Sequence, residues 1–199
     1  MKRKAFLATA CAVPVVLGGC AATTSTTTAD SPKEASGLGP LSAEQKRDIA
    51  EGYRDTLQRL YETTPGSRDL VSRAKGVLVF PRAISAGLMV GGEFGNGQLR
   101  VNDQFAGYYR TTSGSLGLQI GAQSRALVFL FMTDDALKRF RDSQGWSVGA
   151  DASVAVLKVG ANGEIDINAA RAPTIAFVMT NAGLMANLKL EGTKVTRIE

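Results

Sequence analysis

The spacing of apolar residues changes once along the chain, and this change restricts the possible folds more than any other feature. Before residue 65 the apolar side chains recur at helical spacing, and from Gly76 onward they follow strand patterns. One face of the predicted helix contains Ile49, Tyr53, Leu57, Leu60 and Tyr61. A helical part followed by a strand-rich part predicts an α+β fold.

The predicted helix has clear limits and a balanced charged face. Ser42 and Gln45 form a capping-box pattern at its start, and Pro65-Gly66 ends it after about five turns. The cations are Lys46, Arg47, Arg54 and Arg59, and the carboxylates are Glu44, Asp48, Glu51, Asp55 and Glu62. Because helices that lie on anionic lipid are rich in Lys and Arg, we expect the apolar stripe to pack on the domain's own core, with membrane contact as the alternative. A shorter helix is predicted over residues 67–74.

The strands predicted after Gly76 are mostly short and are joined by turn residues. They cover residues 76–80, 116–121, 127–132, 148–159, 174–180, 184–191 and 194–198. Pro81 is expected to close the first strand, and one helix with Thr133 as its N-cap interrupts the series. The predicted fold is an N-terminal amphipathic helix packed on a strongly curled, largely antiparallel, barrel-like sheet with one further short helix.

Glycines concentrate in the first part of the predicted sheet. Five occur within eleven residues, and four more follow: Gly87, Gly91, Gly92, Gly95, Gly97, Gly107, Gly114, Gly117 and Gly121. No phosphate-binding glycine motif lies between a strand and a helix there. We therefore expect these glycines to mark bulges, bends or close approaches between strands.

The first twenty residues resemble a bacterial lipoprotein signal peptide. Three of residues 1–4 are basic, the apolar stretch 5–17 is too short to span a bilayer, and small residues lead into Cys20. This resemblance implies cleavage before Cys20 and its acylation with diacylglycerol and palmitate. The expected organisation is a signal peptide over 1–19, a flexible linker over 20–40 and a folded domain over 41–199. Ala21 stands where inner-membrane retention signals usually place aspartate, so we expect the outer membrane, with the domain facing the periplasm or the exterior.

Removal of the signal peptide changes the charge of the chain. The full sequence has 23 Lys+Arg and 18 Asp+Glu, and three of the basic residues lie in the signal peptide, which leaves 20 against 18. This small excess does not favour a nucleic-acid partner. Cys11 also leaves, so the acylated Cys20 would be the last cysteine and no disulfide is expected.

The sequence contains no histidine, which excludes several classes of enzyme. No Ser-His-Asp or Cys-His centre and no histidine-ligated zinc or haem can form. We therefore expect a protein that is not an enzyme and that uses no cofactor or metal. The remaining catalytic alternative is a carboxylate pair of Glu93 and Asp151, similar to those of glycosidases.

Several motifs in order resemble the SYLF domain, a lipid-binding module related to yeast actin regulators. They include AKGVLVFP, GGEFG, GYY, GLQIGAQ and FMTD, and they occupy 74–81, 91–95, 107–109, 117–123, 131–134, 145–156, 183–185 and 190–194. The resemblance extends over about residues 45–198. It implies binding of phospholipid headgroups through a basic surface and an N-terminal amphipathic helix. Actin and phosphoinositides, which belong to eukaryotic relatives, are not expected beside a bacterial lipoprotein signal.

Two groups of polar residues are candidate sites. The most basic local stretch consists of Arg68, Arg73, Lys75 and Arg82, and it either contacts anionic headgroups or forms a solvated face without a partner. A second set, Glu93, Gln119, Gln123 and Asp151, either lines a polar pocket or consists of interior groups paired with Arg100, Arg110 or Arg125. The predicted function is an outer-membrane lipoprotein whose domain binds anionic phospholipid or organises the membrane surface. The alternative is a structural or protein-interaction lipoprotein with no lipid ligand.

Overall fold

The computed structural model describes most of the chain after residue 38. The described residues are 39–88, 90–116, 121–157, 171–180, 183–184, 190 and 192–198. The predicted signal peptide, Cys20 and nearly all of the predicted linker lie outside them.

Two helices open the described part, and both were predicted. Helix α1 spans Ala43–Thr63 and has the predicted capping box, because the Ser42 side chain accepts from the Gln45 amide and the Gln45 side chain accepts from the Ser42 amide. Helix α2 spans Ser67–Arg73. None of the described helices is both long and apolar enough to cross a membrane.

The described strands form one curled sheet with a helix on each face. The strands are β1 Gly76–Leu88, β2 Val90–Val101, β3 Gln104–Leu116, β4 Gly121–Phe131, β5 Trp146–Ser147, β6 Ala155–Val156, β7 Thr174–Thr180, β8 Gly183–Leu184 and β9 Lys194–Arg197. Their order is β5-β9-β3-β2-β1-β4-β7-β6, with β8 paired to β7. All described pairings of named strands are antiparallel except β6 with β7. The predicted α+β class with a curled, largely antiparallel sheet is confirmed.

The central strands bury side chains on both faces. On one face Leu78 of β1 and Phe129 of β4 pack with Phe140 of helix α3, which spans Asp134–Asp142 and is capped by Thr133 as predicted. On the other face Val79 and neighbouring side chains pack beneath Tyr53 and Leu60 of α1. The apolar stripe of α1 therefore contacts the domain's own core, as the balanced charge of its exposed face indicates.

Strand β1 does not end at Pro81, and this prediction was wrong. The strand continues to Leu88, and its register with both neighbours shifts around Pro81. A bulge tolerates proline because the local ladder hydrogen bond is already lost. Glycine allows β2 to approach this bulge closely: a Cβ at Gly97 would overlap the Val79 carbonyl oxygen, and one at Gly95 would lie 2.9 Å from the Arg82 oxygen. The expected role of these two glycines is confirmed.

One further strand prediction was wrong. Residues 148–159 do not form one strand, since Asp151 accepts from the Ser147 amide in a turn before the short strand β6. Of the predicted strand 116–121, residues 117–120 lie outside the described residues, and of the predicted strand 184–191 the structure describes Leu184 and Leu190 alone. Strands β7 and β9 closely match the predicted strands 174–180 and 194–198.

Candidate functional site

The four cations predicted to bind headgroups have different environments. Arg73 pairs with Asp69 at 2.9 Å and Lys75 pairs with Asp134 at 3.8 Å, both on the exposed surface. The guanidinium carbon of Arg68 lies 4.2 Å from the centre of the Tyr61 ring. Arg82 lines a separate groove beside the β1 bulge. The structure therefore distributes these residues over several sites instead of forming one basic cluster.

Arg68 lines a groove of about 540 Å³ between α1, α2 and the turn that joins β2 to β3. Two arginine side chains lie over two tyrosine rings in this groove. The guanidinium carbon of Arg68 is 4.2 Å from the Tyr61 ring centre, and that of Arg100 of β2 is 4.8 Å from the Tyr53 ring centre. We call this site the tyrosine–arginine groove, and its charged and aromatic lining consists of Tyr53, Arg54, Tyr61, Glu62, Arg68, Arg100 and Asp103. Three arginines and two carboxylates leave one positive charge in excess.

Local structure fixes both sides of this groove. Tyr53 is buried and Tyr61 half-buried on one flank of α1, eight residues apart, which places both rings towards the sheet. Asn102 and Asp103 make a tight hairpin turn with φ of 50° and 60°, and this turn brings Asp103 beside the groove. Arg68 lies in the first turn of α2, held by the buried Ser67, whose hydroxyl donates to the Leu60 carbonyl at 3.1 Å.

Burial keeps both tyrosines of the groove neutral. Desolvation raises the pKa of Tyr53, although the nearby Arg100 opposes the rise. Desolvation also raises the pKa of Tyr61, opposed by Arg68. Neutral phenols can donate hydrogen bonds to an anion, and the faces of the two rings hold the guanidinium groups by cation–π attraction. Within the described part of the chain, neither Arg68 nor Arg100 has a carboxylate within ion-pair distance.

A second groove, of about 630 Å³, lies between α1 and the β1 bulge. Its charged residues are Asp48, Asp55, Arg59 and Arg82, so its net charge is zero. Ile84 and Phe94 supply apolar surface. This balanced lining offers less attraction to an anion than the tyrosine–arginine groove does.

The predicted polar set is only partly brought together. Glu93 is buried and pairs with Arg125, which is the arrangement that the interior alternative predicts for this residue. Gln123 is exposed. In the sheet register Ser85 of β1 pairs with Glu93 on one side and with Gln123 on the other, and the Ser85 hydroxyl donates to the Gln123 backbone carbonyl at 3.5 Å. Asp151 lies in the exposed turn after β5, and Gln119 lies outside the described residues.

The two other candidate partner arginines have different contacts. Arg110 donates to the Asn96 side chain at 3.1 Å and to the Gly39 carbonyl at 3.0 Å, and it stacks on Phe94. Arg100 lines the tyrosine–arginine groove, which the sequence patterns did not predict. The available signal was the pair of tyrosines on the apolar face of α1, since a buried tyrosine needs a partner for its hydroxyl.

Among the described residues, no group of three or more Cys, Asp or Glu side chains could hold a metal ion. Burial raises the pKa of Glu93 above its ordinary value of 4.5, and Arg125 opposes the rise through its charge and its hydrogen bond. The described residues therefore offer binding groups for an anion and one buried ion pair.

The comparison with protein families finds one match. The model of the Ysc84 family, described as Las17-binding protein actin regulator, matches residues 112–198. The comparison with curated proteins finds no match. The matched segment begins in β3 and includes α3, β4, β7 and β9, whereas the residues of the tyrosine–arginine groove precede it. The resemblance inferred from the sequence motifs is thus confirmed over residues 112–198, where the chain matches the Ysc84 (SYLF) family model.

Proposed function

We propose that this protein is an outer-membrane lipoprotein, anchored through Cys20, whose domain binds anionic phospholipid headgroups and is not an enzyme. The observation that carries the proposal is the tyrosine–arginine groove, where Arg68 and Arg100 lie over tyrosine rings. The match of residues 112–198 to a family associated with lipid and protein binding is consistent with it.

The chemistry of the groove suits a phosphate group. A guanidinium that stacks on a ring keeps its N–H groups directed along its edge, where they can form paired hydrogen bonds to phosphate oxygens. The stacking also reduces the side-chain freedom that binding would otherwise remove. Since each cation near an anionic surface contributes roughly 1 kcal/mol, the groove would add to a weaker general attraction from Arg73, Lys75 and Arg82.

Vesicle flotation of the mature chain from Cys20, produced without acylation, tests headgroup binding. We expect binding to vesicles of equal parts phosphatidylcholine and phosphatidylglycerol, little binding to phosphatidylcholine alone, and weakening with salt. Absence of binding to the anionic vesicles would contradict the proposal and favour a protein-interaction role.

Two matched variants locate the site. Arg68→Gln and Arg73→Gln each remove one positive charge from α2, but Arg68 lies in the groove whereas Arg73 pairs with Asp69 on the surface. We expect Arg68→Gln to weaken binding about fivefold, which corresponds to the loss of about 1 kcal/mol, and Arg73→Gln to weaken it less than about twofold. Equal losses would indicate diffuse attraction and contradict a groove-bound headgroup.

Labelling with palmitate tests the anchor separately. The native protein should take up the label and fractionate with outer membranes, and Cys20→Ala should abolish both. A labelled Cys20→Ala protein would contradict acylation at this residue.

A further inference from the structure

An exposed aromatic pair lies next to the tyrosine–arginine groove. Phe105 is 54% exposed, and among the residues whose side-chain exposure the structure describes, the other exposed large apolar side chain is Ile84, at 44%. The Phe105 and Tyr108 ring centres are 4.7 Å apart, and the Lys46 ammonium lies 5.5 Å from the Tyr108 ring centre. We call Phe105, Tyr108 and Lys46 the aromatic edge.

The aromatic edge and the groove lie along the same flank of α1. Phe105 pairs directly with Arg100 across the β2–β3 hairpin, so the exposed ring is adjacent to a groove arginine. Lys46 and Tyr53 are seven residues apart on α1, which places them two turns apart on one side of the helix. An exposed apolar ring is thus flanked by cations on both sides.

The chain enters the domain beside this edge. The Arg110 guanidinium donates to the Gly39 carbonyl at 3.0 Å, and Arg110 lies two residues beyond Tyr108 on the same face of β3. Eighteen residues lie between Cys20 and Gly39, and a linker of that length that is flexible, as the sequence predicts, would have a mean end-to-end distance of about 25 Å. A lipid on Cys20 would therefore keep the aromatic edge within reach of the bilayer.

We propose that the aromatic edge is a membrane-insertion site, in which Phe105 enters the boundary between headgroups and acyl chains while Lys46 stays among the phosphates. This inference rests on the proposed function, because the groove beside Phe105 would face the same headgroups. Tyrosine rings and cations such as Tyr108 and Lys46 are favoured at membrane interfaces, and phenylalanine is one of the apolar side chains that enter the boundary between headgroups and acyl chains. A second copy of the chain is a poorer partner, since a stable dimer buries about 800 Å² on each protomer and this apolar surface consists of two side chains.

Fluorescence quenching tests the insertion. Phe105→Trp and the matched control Ile84→Trp place a reporter at each exposed apolar position, while the native Trp146 is 2% exposed and gives a constant buried background. The mature chain from Cys20 is coupled through that cysteine to a maleimide lipid in phosphatidylcholine–phosphatidylglycerol vesicles, some of which contain brominated acyl chains. We expect a blue shift and quenching by brominated lipid for Phe105→Trp and neither for Ile84→Trp.

The coupling separates this inference from the proposed function. Coupled protein stays at the bilayer even if the free chain does not bind headgroups, so quenching of the Phe105→Trp reporter would support insertion by itself. No quenching, or equal quenching at both positions, would overturn the insertion site, while salt-sensitive flotation of the free chain would still support headgroup binding.

For the free chain, Phe105→Ser should weaken flotation about fivefold at high salt and Ile84→Ser should leave it unchanged, because high salt removes the electrostatic part of the binding. Equal effects of both substitutions would also contradict the inference.

Discussion

The strand β1 passes through two environments, and the contrast between them shows where the stability of this domain is concentrated. In the apolar half, defined as residues 76–80 with 127–131 of β4 and strand β7, both faces are buried beneath helices. In the polar half, defined as residues 82–85 with 93–96 of β2 and 123–125 of β4, the sheet buries the Glu93–Arg125 pair and exposes Ile84. Strand β1 runs through both halves, so helical cover on the two faces distinguishes one half from the other.

The tyrosine–arginine groove is built on the apolar half. Arg100 pairs with Val77 in the register of β1 and β2, and Tyr53 packs in the same core cluster as Val77. A binding group placed on a rigid, well-packed element keeps its geometry at little cost in entropy. Stability and proposed binding therefore depend on the same half of the sheet, and substitutions there should affect both.

The largest loss of stability is expected for Phe129→Ala in the apolar half. Phe129 is fully buried and its ring contacts those of Phe80 and Trp146 edge-on, with ring centres 6.3 and 5.7 Å away. Removal of this ring should lower the free energy of unfolding by about 4 kcal/mol, through lost burial and the cavity that remains. Urea unfolding measures the change, and a loss below about 1 kcal/mol would contradict the assignment of stability to this half.

A smaller loss, of about 3 kcal/mol, is expected when the ion pair of the polar half is broken. Arg125→Met leaves the buried Glu93 carboxyl without its counter-ion, and this uncompensated group is the main cost. The double substitution Glu93→Gln with Arg125→Met should recover much of the loss, since it removes both charges. A double variant less stable than Arg125→Met would show that the pair does not act as a unit.

The same carboxyl predicts a pH dependence. Because burial raises the pKa of Glu93 in the folded state, the folded protein binds a proton that the unfolded chain releases near pH 4.5. The contribution of Glu93 to stability is thus fully present below pH 4.5 and declines as the pH rises through the folded-state pKa. Glutamine does not ionise, so the free energy of unfolding of the wild type, measured relative to that of Glu93→Gln, should be higher at pH 4 than at pH 7. A constant difference would contradict the raised pKa.

The bulge that separates the two halves should be intermediate in its sensitivity. A Cβ at Gly97 would overlap the Val79 carbonyl oxygen, whereas one at Gly114 of β3 would meet no heavy atom within 4 Å. We expect Gly97→Ala to lower the unfolding free energy by about 2 kcal/mol, and Gly114→Ala to leave it unchanged or raise it slightly. Equal effects of the two substitutions in thermal unfolding would show that the close approach at Gly97 has no energetic role.

Sequence patterns predicted the apolar half better than the polar half. Helices α1 and α3 and strand β7 were predictable because caps and apolar runs depend on neighbouring residues. Strands β2 and β3 contain many glycines and polar residues, so alternation could not define their limits. The contact of Arg100 with Tyr53 depends on the register of β2 against β1, and no local pattern fixes that register.

The smallest effect is expected at Ile84, and Val79 provides the matched comparison on the same strand. Val79 is fully buried in the apolar half and Ile84 is 44% exposed in the polar half. Val79→Thr keeps the shape of the side chain but buries a hydroxyl, which should lower the unfolding free energy by about 1–2 kcal/mol. Ile84→Thr replaces an apolar group that water already reaches, so the change should stay within about 0.5 kcal/mol. Urea unfolding of both variants gives the comparison. A loss at Ile84 as large as that at Val79 would mean that the polar half is covered in solution, for instance by a partner or another segment of the chain, and the contrast between the two halves would then apply to the isolated domain alone.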